Sequence, residues 1–142
     1  MIEFEVSKAF SLSPDAVWDV VREVKDYTKY WHGTRDLDVT QVSEGVFEGV
    51  ARLAFPAKVK VKVTVSDAER RLTVEYLEGV MRGSHTVEVL DREIRSHWRV
   101  NLSPWLKPFE GRVKGHFMSG VNNALERVIE EAEKRIEGSL ER

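Results

Sequence analysis

His85 is the residue best placed to do chemistry. Strand alternation between Met81 and Val89 sets it on the same row as Val87 and Val89. An imidazole on an apolar row can orient the polar end of a ligand, or act as a general acid or base. If Asp91-Arg92 makes a two-residue turn, Leu90 opposes Glu93 and His85 lies opposite Trp98. Ser96 then shares that face, and Tyr76 comes from a neighbouring strand. The competing reading is a structural histidine satisfied by Ser96 or a backbone carbonyl, because buried polar groups are normally paired. Acid–base turnover also wants a carboxylate partner, and no Asp or Glu is assured on the inward rows near His85. His85 is therefore a candidate catalytic residue with a structural alternative beside it.

Other charged groups are more ambiguous. Lys114 and Glu110 fall on the inward side of the last helix, beyond its large apolar residues, and Lys8 continues the inward row of the first strand. At a cavity mouth Lys114 could meet a carboxylate or phosphate. The alternative is a side chain snorkelling past the sheet edge, or a Lys114–Glu110 ion pair. His32, His85, His97 and His116 show no paired ligand spacing, and His97 falls on the opposite face from His85, so no metal site is expected. The chain has no cysteine, no Gly-x-Ser-x-Gly elbow and no assembled Ser–His–Asp set. Gly111 to Gly115 lacks the spacing and the Ser/Thr of a phosphate loop. No cofactor is expected. Lys58, Lys60 and Lys62 with Arg52 form one outward strand face without interleaved aromatics, and Lys62 faces Glu75 if Val65 opposes Leu72. That is a solvated face, and no nucleic-acid partner is expected.

The elements that must position these residues are legible. Ile2, Phe4 and Val6 alternate with polar residues as a strand. Ser13-Pro14-Asp15 opens a short helix carrying Val17, Trp18, Val20 and Val21, with Ser13 as N-cap and Pro14 as first helical residue. A second short helix is expected over Val24–Tyr30, ended by Trp31-His32-Gly33, with Trp18 and Trp31 packing the two helices. Strands follow around Leu37–Gln41, Phe47–Phe55, Val59–Val65, Leu72–Tyr76 and the two arms of the last hairpin. Glu44-Gly45, Ser66–Glu69 and Glu78-Gly79 make turns, and Pro56 breaks a strand. From about Pro108 to Glu137, Phe117, Val121, Leu125, Val128, Ala132 and Ile136 recur at helical spacing, widened by Met118, Ala124 and Ile129. Gly138 reads as its C-cap. Pro104, Trp105 and Pro108 mark the turn into this helix, and an exposed Trp105 suits an entrance or a dimer contact.

The class is α+β: a curved antiparallel sheet of about seven strands around a long C-terminal helix, with two short helices after the first strand. The 142 residues suit one domain, 1–142, with no linker or repeat. A net charge of −2 supplies no general pull toward nucleic acid or acidic lipid. No run is apolar enough for a membrane span, and the alternating, acidic N-terminus does not read as a signal peptide, so a cytoplasmic location is expected. Transient membrane contact and a monomer or homodimer are both compatible with this surface. Abundant charge with few amides and no cysteine suits a thermophile.

The opening strand, the run Ser13-Pro14-Asp15-Ala16-Val17-Trp18-Asp19-Val20-Val21, the pair Tyr30-Trp31 and Asn123-Ala124-Leu125-Glu126 together resemble the START / birch-pollen-allergen-like superfamily of polyketide cyclase/dehydrase and lipid-transport proteins. The resemblance spans the whole chain and implies a helix-grip fold with a cavity between sheet and helix. It implies a small apolar ligand, such as a lipid, fatty acid or polyketide-like molecule. The walls expected are Phe47, Leu53, Val61, Val63, Tyr76, Met81, Trp98, Phe117, Met118 and Val121, with His85, Ser96 or Lys114 fixing a polar end. Small residues at Gly49, Ala51, Gly83, Gly111 and Gly115 leave room for a ligand, mark close helix–sheet contact, or mean that the last helix starts later than Pro108. Three functions remain open: a carrier or sensor, a cyclase/dehydratase-type enzyme using His85, and an interaction module with a filled cavity.

Overall fold

The structure, a computed structural model, describes residues 1–54 and 57–140. The inward Phe55 and the strand-breaking Pro56 of the sequence reading lie outside the described residues. Strands β1 (Ile2–Ala9), β2 (Thr34–Ser43), β3 (Val46–Leu53), β4 (Lys58–Ser66), β5 (Arg71–Gly79), β6 (Met81–Val89) and β7 (Glu93–Leu102) form one antiparallel sheet, ordered β1-β7-β6-β5-β4-β3-β2. Helix α1 (Pro14–Val21), a 3-10 turn (Val24–Asp26) and α2 (Tyr27–Tyr30) lie between β1 and β2. A 3-10 segment (Pro104–Phe109) leads into α3 (Glu110–Leu140). This is the helix-grip arrangement.

The β6–β7 hairpin adopts the register expected from a two-residue turn. Leu90 N–H donates to the Glu93 carbonyl at 2.8 Å, and His85 pairs with Trp98 and Val87 with Ser96. Between β4 and β5, Val65 pairs with Leu72 and Lys62 with Glu75, until a bulge between Lys60 and Val61 shifts the ladder by one residue. Gly49 and Gly83 owe their small size to backbone crowding. A Cβ at Gly83, where φ is +138°, would collide with the Arg99 carbonyl, and one at Gly49 with the Asp38 carbonyl. They do not make room for a ligand.

Helix α1 starts at Pro14 behind an extended Ser13 whose carbonyl accepts the first turns' N–H groups; the Ser13 side chain makes no capping bond. Trp18 Nε1 donates to Asp67 Oδ1 at 2.8 Å and Arg22 Nε donates to the same oxygen at 2.9 Å. These bonds pin α1 to the β4–β5 turn, and those of Arg22 and then Trp18 hold the Asp67 carboxyl below its usual range. The second short helix of the sequence reading is split by the 3-10 turn at Val24–Asp26.

Helix α3 buries Val121, Ala124, Leu125, Val128 and Ala132, chiefly against β1 and α1 and less against α2. Each fully buried aliphatic side chain there contributes about 1.5–3 kcal/mol of transfer free energy. Two expectations are corrected. Helix α3 runs through Gly138 to Leu140, because a glycine caps a helix only by turning left-handed, and Gly138 is not among the positive-φ residues. Gly111 and Gly115 mark no close helix–sheet contact: a Cβ at either meets nothing within 4 Å. The first turns of α3 stand clear of the sheet, and only Val113 and Phe117 lean back onto it.

Candidate functional site

Where the first half of α3 stands off the sheet, a cavity of about 220 Å³ opens beneath it. Its floor is Leu53 of β3, Met81 of β6 and Trp98 of β7; its roof is Phe117, Gly120 and Val121 of α3; its end wall is Tyr27, Trp31 and Thr34. The walls are mostly apolar, and polar side chains gather at the rim: His32 after α2, and His116, Asn123 and Arg127 on α3. Arg127 Nη1 donates to the Tyr30 carbonyl at 2.9 Å, tying α3 to the last residue of α2 beside the mouth.

His85 sits one layer behind this cavity, fully buried. Trp98 stacks on its ring with centroids 4.1 Å apart and planes 17° from parallel. Its Nδ1 is 3.0 Å from the Tyr27 hydroxyl and its Nε2 is 2.6 Å from Ser96 Oγ. A neutral imidazole carries one N–H, so the ring donates one of these bonds and accepts the other. Burial lowers the His85 pKa to about 3, with a smaller contribution from the charge of His97, so the ring is neutral at ordinary pH. Burial likewise raises the Tyr27 and Tyr76 phenols. Tyr27 stacks on Trp31 at 5.0 Å, and Trp31 tilts toward His85 at 5.7 Å. Trp98 in turn touches Phe117 across the cavity, with centroids 5.4 Å apart. The indole Nε1 atoms of Trp31 and Trp98 are buried without a hydrogen-bond partner.

The structure thus brings Leu53, Met81, Trp98, Phe117 and Val121 to one cavity and places His85, Ser96 and Tyr76 behind its floor. Val61 and Val63 are core residues of β4 that do not reach the lining. Phe47 is corrected: it lies six residues along β3 from Leu53, roughly 20 Å away by strand rise, and borders a separate depression beside Arg22 and Asp67. Met118 is corrected because one further helical step past Phe117 swings it to solvent, 39% exposed. Lys114 is corrected because α3 is clear of the sheet at that turn and the side chain is exposed, while Glu110 bonds the Met1 amine at 2.7 Å. Lys8 pairs with Glu126 across to α3. Trp31 is corrected in the other direction, since it lines the cavity. Tyr27 and Trp31 escape sequence reading because they sit on two short irregular turns without a repeating apolar pattern; the aromatic pair Tyr30-Trp31 is the only local signal.

The histidine's partners include no carboxylate, and Trp98, Tyr27 and Trp31 stand between its ring and the cavity. It fixes the Tyr27 hydroxyl and the Trp98 ring in place. Among the described residues no group of three or more His, Asp or Glu could hold a metal ion, and no helix is long and apolar enough to cross a membrane.

The sequence matches the family described as polyketide cyclase / dehydrase and lipid transport over residues 1–137. No curated protein matches it. Among solved structures, an aromatase/cyclase from Streptomyces sp. R1128 is similar at 14% identity with a TM-score of 0.75, over 94% of each chain. A protein of Thermus thermophilus is similar at 15% identity with a TM-score of 0.70, over 92% of this chain and 95% of the other. A norcoclaurine synthase mutant from Thalictrum is similar at 19% identity with a TM-score of 0.59, over 92% and 94%. At these identities the likeness is one of fold.

Proposed function

Since the chain belongs to the polyketide cyclase / dehydrase and lipid transport family, we propose that its cavity binds a small, flat, apolar molecule as a carrier or sensor. The observation that carries this reading is the mostly apolar, aromatic-walled cavity with His32, His116, Asn123 and Arg127 gathered at its rim. A dry apolar cavity of roughly 150 Å³ can already hold benzene. The 220 Å³ here fits one or two fused rings or a short acyl segment, and not a full-length lipid. Trp31, Trp98 and Phe117 supply the stacking faces, and His32, His116, Asn123 and Arg127 stand where a polar substituent would emerge.

The test is a fluorescence titration of the purified protein with 1-naphthol and with octanoate. Saturable quenching of the Trp31 and Trp98 emission is expected with at least one of them. Gly120→Leu provides the control. Gly120 lines the cavity and a Cβ there meets nothing within 4 Å, so the added side chain starts from open space. It should weaken binding about tenfold while gaining up to ~1 kcal/mol of helix stability. No saturable signal with either ligand, or equal affinity in the variant, defeats the reading.

A second reading, a cyclase/dehydratase-type enzyme, is favoured by one contact. Tyr27 lines the cavity, and its hydroxyl is bonded to His85. In that case Tyr27, and not His85, is the group that meets the substrate. Tyr27→Phe should then abolish turnover of a reactive polyketide-like substrate and leave 1-naphthol affinity nearly unchanged; unchanged turnover rejects it.

A further inference from the structure

One end of the molecule collects side chains that neither the core nor the cavity explains. Trp105 is 65% exposed and Phe109 51% exposed, both on the 3-10 segment that precedes α3. Met1, 56% exposed, joins them, because its amine is bonded to Glu110 at the start of α3. Leu106 and Val113 pack inward and anchor the segment. Pro104 and Pro108 fix φ at two of its six positions, so the aromatic rings are presented by a stiff turn. Lys107, Arg112 and Lys114 belong to the same stretch of chain, all exposed and none in an ion pair among the described residues. The nearby carboxylate of Glu110 is already matched by the N-terminal amine. An acidic protein therefore carries a cationic, aromatic cap at this end.

We propose that this cap docks the protein on a lipid surface bearing anionic headgroups. Trp105 and Phe109 enter the headgroup boundary, where aromatic rings are favoured, and the three basic side chains meet the lipid charges. A second copy of the chain fits less well. Two half-exposed rings offer on the order of 200–300 Å², short of roughly 800 Å² per partner in a stable complex, and three cations repel their own symmetry mates. The docking goes beyond the ligand reading and does not depend on it.

The experiment is flotation of the full chain with vesicles of phosphatidylcholine alone, and with vesicles of equal parts phosphatidylcholine and phosphatidylglycerol, at low and high salt. Binding is expected on the anionic vesicles only, weakening with salt. Trp105→Ser with Phe109→Ser should lower partitioning by about tenfold or more. Lys107→Gln, Arg112→Gln and Lys114→Gln should each lower it roughly fivefold. All five positions are exposed, so circular dichroism should stay unchanged, and Gly120→Leu, which blocks the cavity, should float as the parent does. Absence of binding to anionic vesicles, equal binding to neutral ones, or variants that bind like the parent would each overturn the proposal. A concentration-dependent dimer abolished by the Trp105/Phe109 changes would assign the cap to a second copy instead.

Discussion

Acidification should unfold this protein through His85, by an amount the structure sets. The folded imidazole is sealed between Trp98, Tyr27 and Ser96 and takes up a proton only near pH 3. In the unfolded chain the same ring is protonated around pH 6.5. Between those values the unfolded state holds the extra proton, so stability is full above pH 6.5 and falls as the pH is lowered toward 3. At pH 4.5 the unfolded state has gained about two pH units of proton affinity, worth roughly 2–3 kcal/mol. Carboxylates titrate in the same range, so the quantity to measure is a difference. His85→Gln keeps an amide able to reach one partner and removes the titration. It should cost about 1–3 kcal/mol at pH 7 through the bonds it loses, yet lose roughly 2–3 kcal/mol less than the parent between pH 7 and 4.5. Urea denaturation at the two pH values reads this directly, with m-values of about 1–3 kcal/mol/M converting the difference to a midpoint shift of roughly 1 M or more. Parallel losses in parent and variant would refute the sealed, neutral histidine, and with it the view that His85 supports Tyr27 and Trp98 without meeting ligand.

Two further substitutions test the frame around the site. Leu125→Ala, at a fully buried position of α3, should cost about 3–4 kcal/mol in urea unfolding; a cost under 1 kcal/mol would mean that α3 is not held by its apolar stripe. Gly83→Ala forces a side chain into the left-handed region against the Arg99 carbonyl, so a loss above about 2 kcal/mol is expected. A neutral Gly83→Ala would show that the backbone crowding is easily relaxed.

The fold was legible wherever a period repeats. The Lys–Val alternation of β4, the hairpin sum linking His85 to Trp98 and the three-and-four spacing of α3 each left one consistent arrangement. The site was legible by halves. Leu53, Met81, Trp98, Phe117 and Val121 follow from which face a strand or helix turns inward. Depth along an element does not: Phe47 and Leu53 share a row on β3 but lie at opposite ends of the fold, and Lys114 lies on a part of α3 that the sheet does not reach. Nor does periodicity speak for Tyr27 and Trp31, whose positions depend on a 3-10 turn feeding a helix of one turn. Gly49 and Gly83 read as vacancies in the sequence because crowding by a neighbouring strand's carbonyl leaves no mark on composition.

The strand order also sets an itinerary for folding. Each pairing from β2 to β7 joins strands consecutive in the chain and few residues apart, at little entropic cost. The pairing of β1 with β7 is different: Ile2 must find Val100 across nearly the whole intervening chain. Helix α3 packs chiefly on β1 and on α1, which follows it. The six-stranded meander can thus zip up locally, while the N-terminal strand, its helices and the last helix must arrive together. Until they do, one face of the meander has no cover, and that delay, more than the chemistry of any single residue, is where this chain is exposed to mispairing and aggregation.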